Sequence, residues 1–89
     1  MTVRITRGQS DVIFDVSDDS IRMTLISDGN SETFVYDDFD RSDTVLHELK
    51  WLATDQPGVF RLFWLTLAPW STVNELFVHY AKMYNVALQ

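Results

Sequence analysis

The fold is decided by residues 10–36, which read SDVIFDVSDDSIRMTLISDGNSETFVY. Apolar side chains recur at every second position, and turn-forming residues interrupt them, which is typical of strands with one apolar and one polar face. The apolar positions here and just upstream are Val3, Ile5, Val12, Phe14, Val16, Ile21, Met23, Leu25, Phe34 and Tyr36. Because the connections are short, and Asp28-Gly29 is typical of a tight hairpin, we predict a four-stranded antiparallel β-meander.

Two stripes of apolar residues at helical spacing predict two helices, over about residues 43–54 and 73–87. The stripes consist of Val45, Leu46, Leu49 and Leu52, and of Val73, Leu76, Phe77, Tyr80, Tyr84 and Ala87. Thr72 and Glu75 have the spacing of a capping box at the head of the second helix.

Residues 59–68, VFRLFWLTLA, are apolar on every side, so periodicity does not distinguish a buried strand from a buried helix. We favour a fifth strand, because the run is short, rich in aromatic residues and bracketed by prolines. The prediction is a single α+β domain over residues 1–89, with the two helices packed on one face of the sheet. Its core is expected to contain Phe14, Leu25, Leu49, Phe77 and Tyr80.

The net charge is −6 and is concentrated in residues 10–40, which contain nine acidic residues and one basic residue, Arg22. Nucleic acids and anionic membranes repel such a chain, so we predict no direct binding to either. No residue is a cysteine, which excludes disulfides, thiolate metal sites and cysteine nucleophiles. The first residues build no apolar signal segment. A cytoplasmic protein is therefore expected.

The sequence matches no catalytic template. The three glycines are isolated, so there is no phosphate-binding loop, and no serine or threonine lies in a nucleophile motif. His47 and His79 are expected on the polar sides of the helices. Glu75 and His79 form an i, i+4 pair, but two ligands make a weak metal site. We predict no enzymatic activity, no metal and no cofactor.

Acidic residues are expected to share one end of the predicted sheet. The turn after the second strand and the exit of the fourth strand lie at that end, which brings together Asp18, Asp19, Asp37, Asp38 and Asp40. Asp15 extends this group down the polar face, and Asp11, Asp28 and Glu32 gather at the opposite end, so that acidic charge could run across the face. We predict that Asp15, Asp18, Asp19, Asp37, Asp38 and Asp40 bind a basic partner.

Two other interpretations of the acidic residues stay open. Aspartate is common in turns and keeps surfaces soluble. Asp37, Asp38 and Asp40 could also ligate Ca²⁺, although their run lacks the glycine of an EF-hand loop. Trp51 and Trp70 lie at the ends of predicted elements, where partial exposure makes them secondary candidates for a partner interface or a homodimer.

In its length, its lack of cysteine, its lack of catalytic motifs and its run of aspartates, the chain resembles the small acidic anti-defence proteins of phages, including anti-CRISPR inhibitors and DNA mimics. The resemblance implies an inhibitor that blocks the nucleic-acid-binding surface of a host enzyme or ribonucleoprotein complex in an infected bacterial cell. Two alternatives are an immunity protein or antitoxin that neutralises a basic nuclease or toxin, and a small structural subunit of a phage assembly.

Overall fold

A computed structural model describes residues 1–36 and 43–88. Four strands are followed by three helices: β1 (Thr2–Arg7), β2 (Ser10–Val16), β3 (Ile21–Ser27), β4 (Asn30–Tyr36), α1 (Asp43–Asp55), α2 (Pro57–Thr66) and α3 (Thr72–Tyr84). The strands form one antiparallel sheet in the order β1-β2-β3-β4. The predicted α+β class and the predicted meander are therefore confirmed.

Tight turns set the register of the sheet. Asp28 and Gly29 both have positive φ, at 52° and 78°, as a two-residue hairpin of the type I′ class requires. This turn places Leu25 opposite Glu32 and Met23 opposite Phe34. Directly opposed residues of antiparallel strands project from the same face, so the register decides which side chains share a face.

One sheet face contributes to a core that also includes residues from all three helices. Phe14, Leu49 and Phe77 are fully buried and Tyr80 almost so, as predicted. Leu25 only packs against the margin of the core. Its neighbour across the sheet is the exposed Glu32, so this end of the face is incompletely covered.

The preferred fifth strand at residues 59–68 is wrong, because residues 57–66 form α2. Pro57 occupies the first turn of this helix, where its missing N–H costs nothing. Phe60 stacks on Phe77 at 4.4 Å between ring centroids, and Phe63 contacts Phe14 at 5.2 Å. The buried positions therefore follow helical spacing, and the exposed leucines between them hide that period in the sequence.

The other two helices lie close to their predicted ranges. The N-cap of α3 is Ser71, whose hydroxyl accepts a hydrogen bond from the Val73 N–H at 3.1 Å, so the helix begins one residue earlier than predicted. It ends three residues earlier, because Asn85 adopts the left-handed conformation and the Val86 N–H turns back to the Ala81 carbonyl. Within the described residues, no helix has the length and apolar character needed to span a bilayer.

Candidate partner-binding rim

The predicted acidic site centres on the turn of residues 17–20, which we call the acidic rim. Tyr36, the last residue of β4, lies opposite Ile21, the first residue after this turn. β4 therefore ends at the same end of the sheet as the turn. Asp18 and Asp19 are exposed, and neither forms an ion pair with another described residue. Asp37, Asp38 and Asp40 lie outside the described residues, so their part in the site stays a prediction.

Hydrogen bonds hold the acidic rim in a defined conformation. The Ser17 N–H donates to the Ser20 carbonyl at 3.0 Å, and the two hydroxyls are 2.9 Å apart. The Asp18 carbonyl accepts from the Ala68 N–H at 2.6 Å, which joins the rim to the segment between α2 and α3. The Asp18 backbone is thus fixed from two sides of the chain, while its carboxylate stays in solvent.

The polar face of the sheet is electrically balanced. Asp15 lies directly opposite Arg22, and Arg4 forms an ion pair with Asp11. The hydrogen bond from Arg4, together with one from Thr6 at 2.9 Å, lowers the pKa of Asp11 below its usual 3.8. Two arginines thus accompany the two aspartates of this face.

A continuous acidic line across the polar face is therefore not what the register produces. Glu32 lies opposite Leu25, whose side of the sheet is the core side, so this carboxylate does not extend the polar face. Asp15 is exposed but lies within the balanced set. Among residues 1–36, the exposed acidic side chains without an ion pair to another described residue are Asp15, Asp18, Asp19, Asp28 and Glu32, and three of these five lie in turns.

The two tryptophan candidates lie at opposite ends of the sheet. Trp51 is half-buried, and the Arg7 guanidinium lies 4.5 Å from its ring centroid at the β1–β2 end. Arg7 also donates to the Glu48 carboxylate at 2.6 Å. Trp70 lies at the end of the acidic rim, two residues after Ala68, and is 82% exposed. The two side chains therefore do not share a surface.

Trp70 is held out by a turn that is anchored on both sides. The Ser71 N–H donates to the Ala68 carbonyl at 3.0 Å, which places Pro69 and Trp70 in the central positions of a β-turn. Ala68 is tied to Asp18, and Ser71 is fully buried as the cap of α3. The indole is thus presented on a fixed backbone beside the acidic rim.

Sequence reasoning missed two further groups. The first group joins Arg7 to Glu48 and Trp51, which are far from it in the chain. The only signal for this group in the sequence is the general tendency of arginine to pair with carboxylates and to stack on indoles. A cleft of about 580 Å³ between α1 and α3 includes Lys50, His79 and Tyr80. Burial raises the pKa of Tyr80, with smaller contributions from the neighbouring tyrosines.

Both histidines are exposed, as their predicted helix faces require. Among residues 1–36 and 43–88, no three acidic or imidazole side chains are arranged to hold a metal ion. Comparison of the chain with protein-family models, with curated proteins and with solved structures gave no match.

Proposed function

We propose that the protein is a non-enzymatic inhibitor whose acidic rim docks on the basic, nucleic-acid-binding surface of a host protein or ribonucleoprotein complex, as anti-CRISPR and anti-restriction inhibitors do. The observation that carries the proposal is the pair Asp18 and Asp19, exposed on a tied turn with no cationic partner in the described part of the chain. Because the backbone of this turn is already held by hydrogen bonds, docking on a basic surface orders the two side chains but not the chain that carries them.

The contrast with the polar face supports this choice of site. The carboxylate of Asp11 is already bonded to Arg4 and Thr6, so a basic partner would have to break those contacts to use it. Asp18 and Asp19 carry no such cost. Opposite charge across an interface accelerates association and gives a strong dependence on salt.

We also propose that the helices cover one face of the sheet. Alternation in β2 supports that arrangement, since Val12, Phe14 and Val16 are buried while Asp15 is exposed. In such a layered domain the turns at the sheet ends are the parts free to reach into a partner's groove. Asp37, Asp38 and Asp40, which follow β4 in the sequence, are proposed to add to the same surface.

The test compares two charge variants with equal changes in net charge. Purified wild type, Asp18→Lys/Asp19→Lys and Glu32→Lys/Asp55→Lys are each immobilised and exposed to host lysate at low salt. Glu32 in β4 and Asp55 at the end of α1 are both exposed, and neither belongs to the acidic rim. The proposal expects wild type and the control to retain the same basic protein, which added DNA or RNA displaces, and the rim variant to lose it.

Raising salt from about 0.1 to about 0.5 M shortens the screening length from about 10 to about 4 Å and should release the captured protein. Equal retention by the rim variant and the control would contradict the proposed site. Capture that nucleic acid does not compete with would contradict the inhibitory mechanism.

A further inference from the structure

The cleft between α1 and α3 has no part in the proposed docking. Its volume of about 580 Å³ lies within the range of clefts that bind small molecules. Leu46 and Lys50, four positions apart on α1, line one wall, and Glu75 and His79, four positions apart on α3, line the other. Residues at this spacing share one face of a helix. The cleft is therefore formed by two facing helix surfaces.

Tyr80 places a buried hydrogen-bond donor in this cleft. The residue lines the cleft and is 5% exposed, and its hydroxyl forms no hydrogen bond with a described residue. Buried tyrosine hydroxyls usually have a partner. Burial raises the pKa of Tyr80 above 10.0, so the hydroxyl keeps its proton at neutral pH and can donate. An acceptor supplied by a ligand would satisfy this group.

Two side chains of opposite charge line the same cleft without being paired. The Lys50 ammonium lies 5.8 Å from the ring centroid of Tyr80 and forms no ion pair with a described carboxylate. Glu75, on the opposing helix, forms no ion pair with a described cation. A simple anion would be repelled by Glu75, and a simple cation by Lys50. A molecule that carries both charges satisfies both side chains.

Apolar side chains complete the lining. Leu46 and Leu76 are half-buried, and Met83 is 55% exposed. Methionine is flexible and adapts to the shape of what it contacts. The cleft thus combines a cation, a carboxylate and a hydroxyl donor with apolar surface, which is the combination that an apolar amino acid requires.

We propose that this cleft binds a free α-amino acid with an apolar side chain. The carboxylate of the ligand pairs with Lys50 and accepts a hydrogen bond from the Tyr80 hydroxyl, while its ammonium group pairs with Glu75. The side chain of the ligand lies against Leu46 and Leu76. This site includes neither Asp18 nor Asp19 and does not depend on the proposed inhibitory function.

Binding is expected to be weak, because Lys50 and Glu75 are both exposed and solvent screens their charges. A dissociation constant of about 1 to 10 mM follows. Such a ligand exchanges rapidly with solvent, so an NMR titration is the suitable measurement.

The titration uses the purified protein and three probes at constant ionic strength: L-phenylalanine, 3-phenylpropionate, which lacks the ammonium group, and phenethylamine, which lacks the carboxylate. L-phenylalanine should shift the amide signals of residues 46–50 and 75–80 and approach saturation by about 50 mM. The two analogues should bind at least about threefold more weakly, because each leaves one charge of the cleft unpaired.

Variants of the cleft test each contact separately. Lys50→Met and Glu75→Gln should each weaken the binding of L-phenylalanine about three- to fivefold. Tyr80→Phe, which removes only the hydroxyl, should weaken it about two- to tenfold. Lys82→Met is the matched control and should bind as wild type does, because Lys82 is an exposed lysine of α3 outside the cleft.

Circular dichroism checks that each variant keeps the fold. Lys50 and Glu75 are exposed, so their variants decide the outcome even if Tyr80→Phe does not fold. Failure of L-phenylalanine to bind would overturn the proposal. So would equally tight binding of either analogue, or wild-type affinity in Lys50→Met or Glu75→Gln.

Discussion

The two ends of the sheet carry the same kinds of side chain and use them in opposite ways. At the β1–β2 end, Arg7 bonds to the buried Glu48 and lies over Trp51, so charge and aromatic surface are paired within the chain. At the other end, Asp18 of the acidic rim and the nearby Trp70 lie on turns whose backbones are hydrogen-bonded, and their side chains are exposed to solvent. The first end stabilises the fold, and the second is free to stabilise a complex.

The largest expected effect follows from breaking the ion pair between the buried Glu48 and Arg7, whose side chain is 38% exposed. Arg7→Met leaves the Glu48 carboxylate buried without its donor, and its second oxygen, Oε2, already has no partner among the described residues. A buried group left without its partner costs about 1 to 3 kcal/mol, and a charged group lies at the upper end of that range. Denaturant unfolding should show this loss in Arg7→Met.

The comparison variant is Asp19→Met, which removes a charge from the other end. Exposed positions without partners usually change stability by less than about 0.5 kcal/mol. If Asp19→Met lost as much stability as Arg7→Met, the acidic rim would be a structural element and not an uncovered surface.

The two tryptophans give the next largest difference. Trp51→Ala removes partly buried surface and the contact with Arg7, and should cost about 1 to 2 kcal/mol. Trp70→Ala should leave the unfolding free energy of the monomer within about 0.5 kcal/mol of wild type. Denaturant unfolding of both variants at one protein concentration measures the difference.

Fluorescence quenching provides a second readout of the same contrast. Acrylamide should quench wild type strongly and Trp70→Ala much less, since the exposed indole is then gone. If quenching depended on Trp51 instead, the exposed aromatic surface would lie at the β1–β2 end and not beside the acidic rim.

Residues 10–36 show why the meander could be predicted and its charge could not. Strict alternation defines each strand and its apolar face, and Asp28-Gly29 defines the hairpin. Whether an aspartate is neutralised depends on which residue lies opposite or beside it. The Arg4–Asp11 ion pair, and the position of Arg22 directly opposite Asp15, become visible only once the register is known.

The wrong prediction at α2 and the unpredicted contact at the β1–β2 end have different causes. Leu62 and Leu65 are apolar but lie outside the core. Their presence hides the helical spacing of the buried Phe60 and Phe63 in the sequence. Arg7 and Glu48 meet across most of the chain, and no local pattern encodes such a contact. The candidate site was predictable only in so far as Asp18 and Asp19 lie in a turn.

The smallest expected effect concerns Asp11. Its folded-state pKa lies below the unfolded value, so its contribution to stability is present above the unfolded pKa and is lost as pH falls through the folded pKa. NMR titration of the side-chain carboxyl should give a midpoint below 3.8 in wild type. Arg4→Met should move that midpoint upward.

Arg22→Met is the matched control, since it removes the same charge from the same face but is opposite Asp15 instead. It should leave the Asp11 midpoint nearly unchanged. An equal response to both substitutions would mean that the general field of the face, and not the Arg4 contact, sets the pKa of Asp11.

The central claim is that the acidic rim is the partner-binding surface. The most direct test is a hydrogen-exchange footprint of the protein in complex with the basic partner retained in the capture experiment. Amide exchange is compared for the free protein and the purified complex, at one protein concentration. Slower exchange in residues 17–20, with residues 7–10 unchanged, is the predicted result. Protection of residues 7–10 and the Trp51 segment, with residues 17–20 unaffected, would contradict the account.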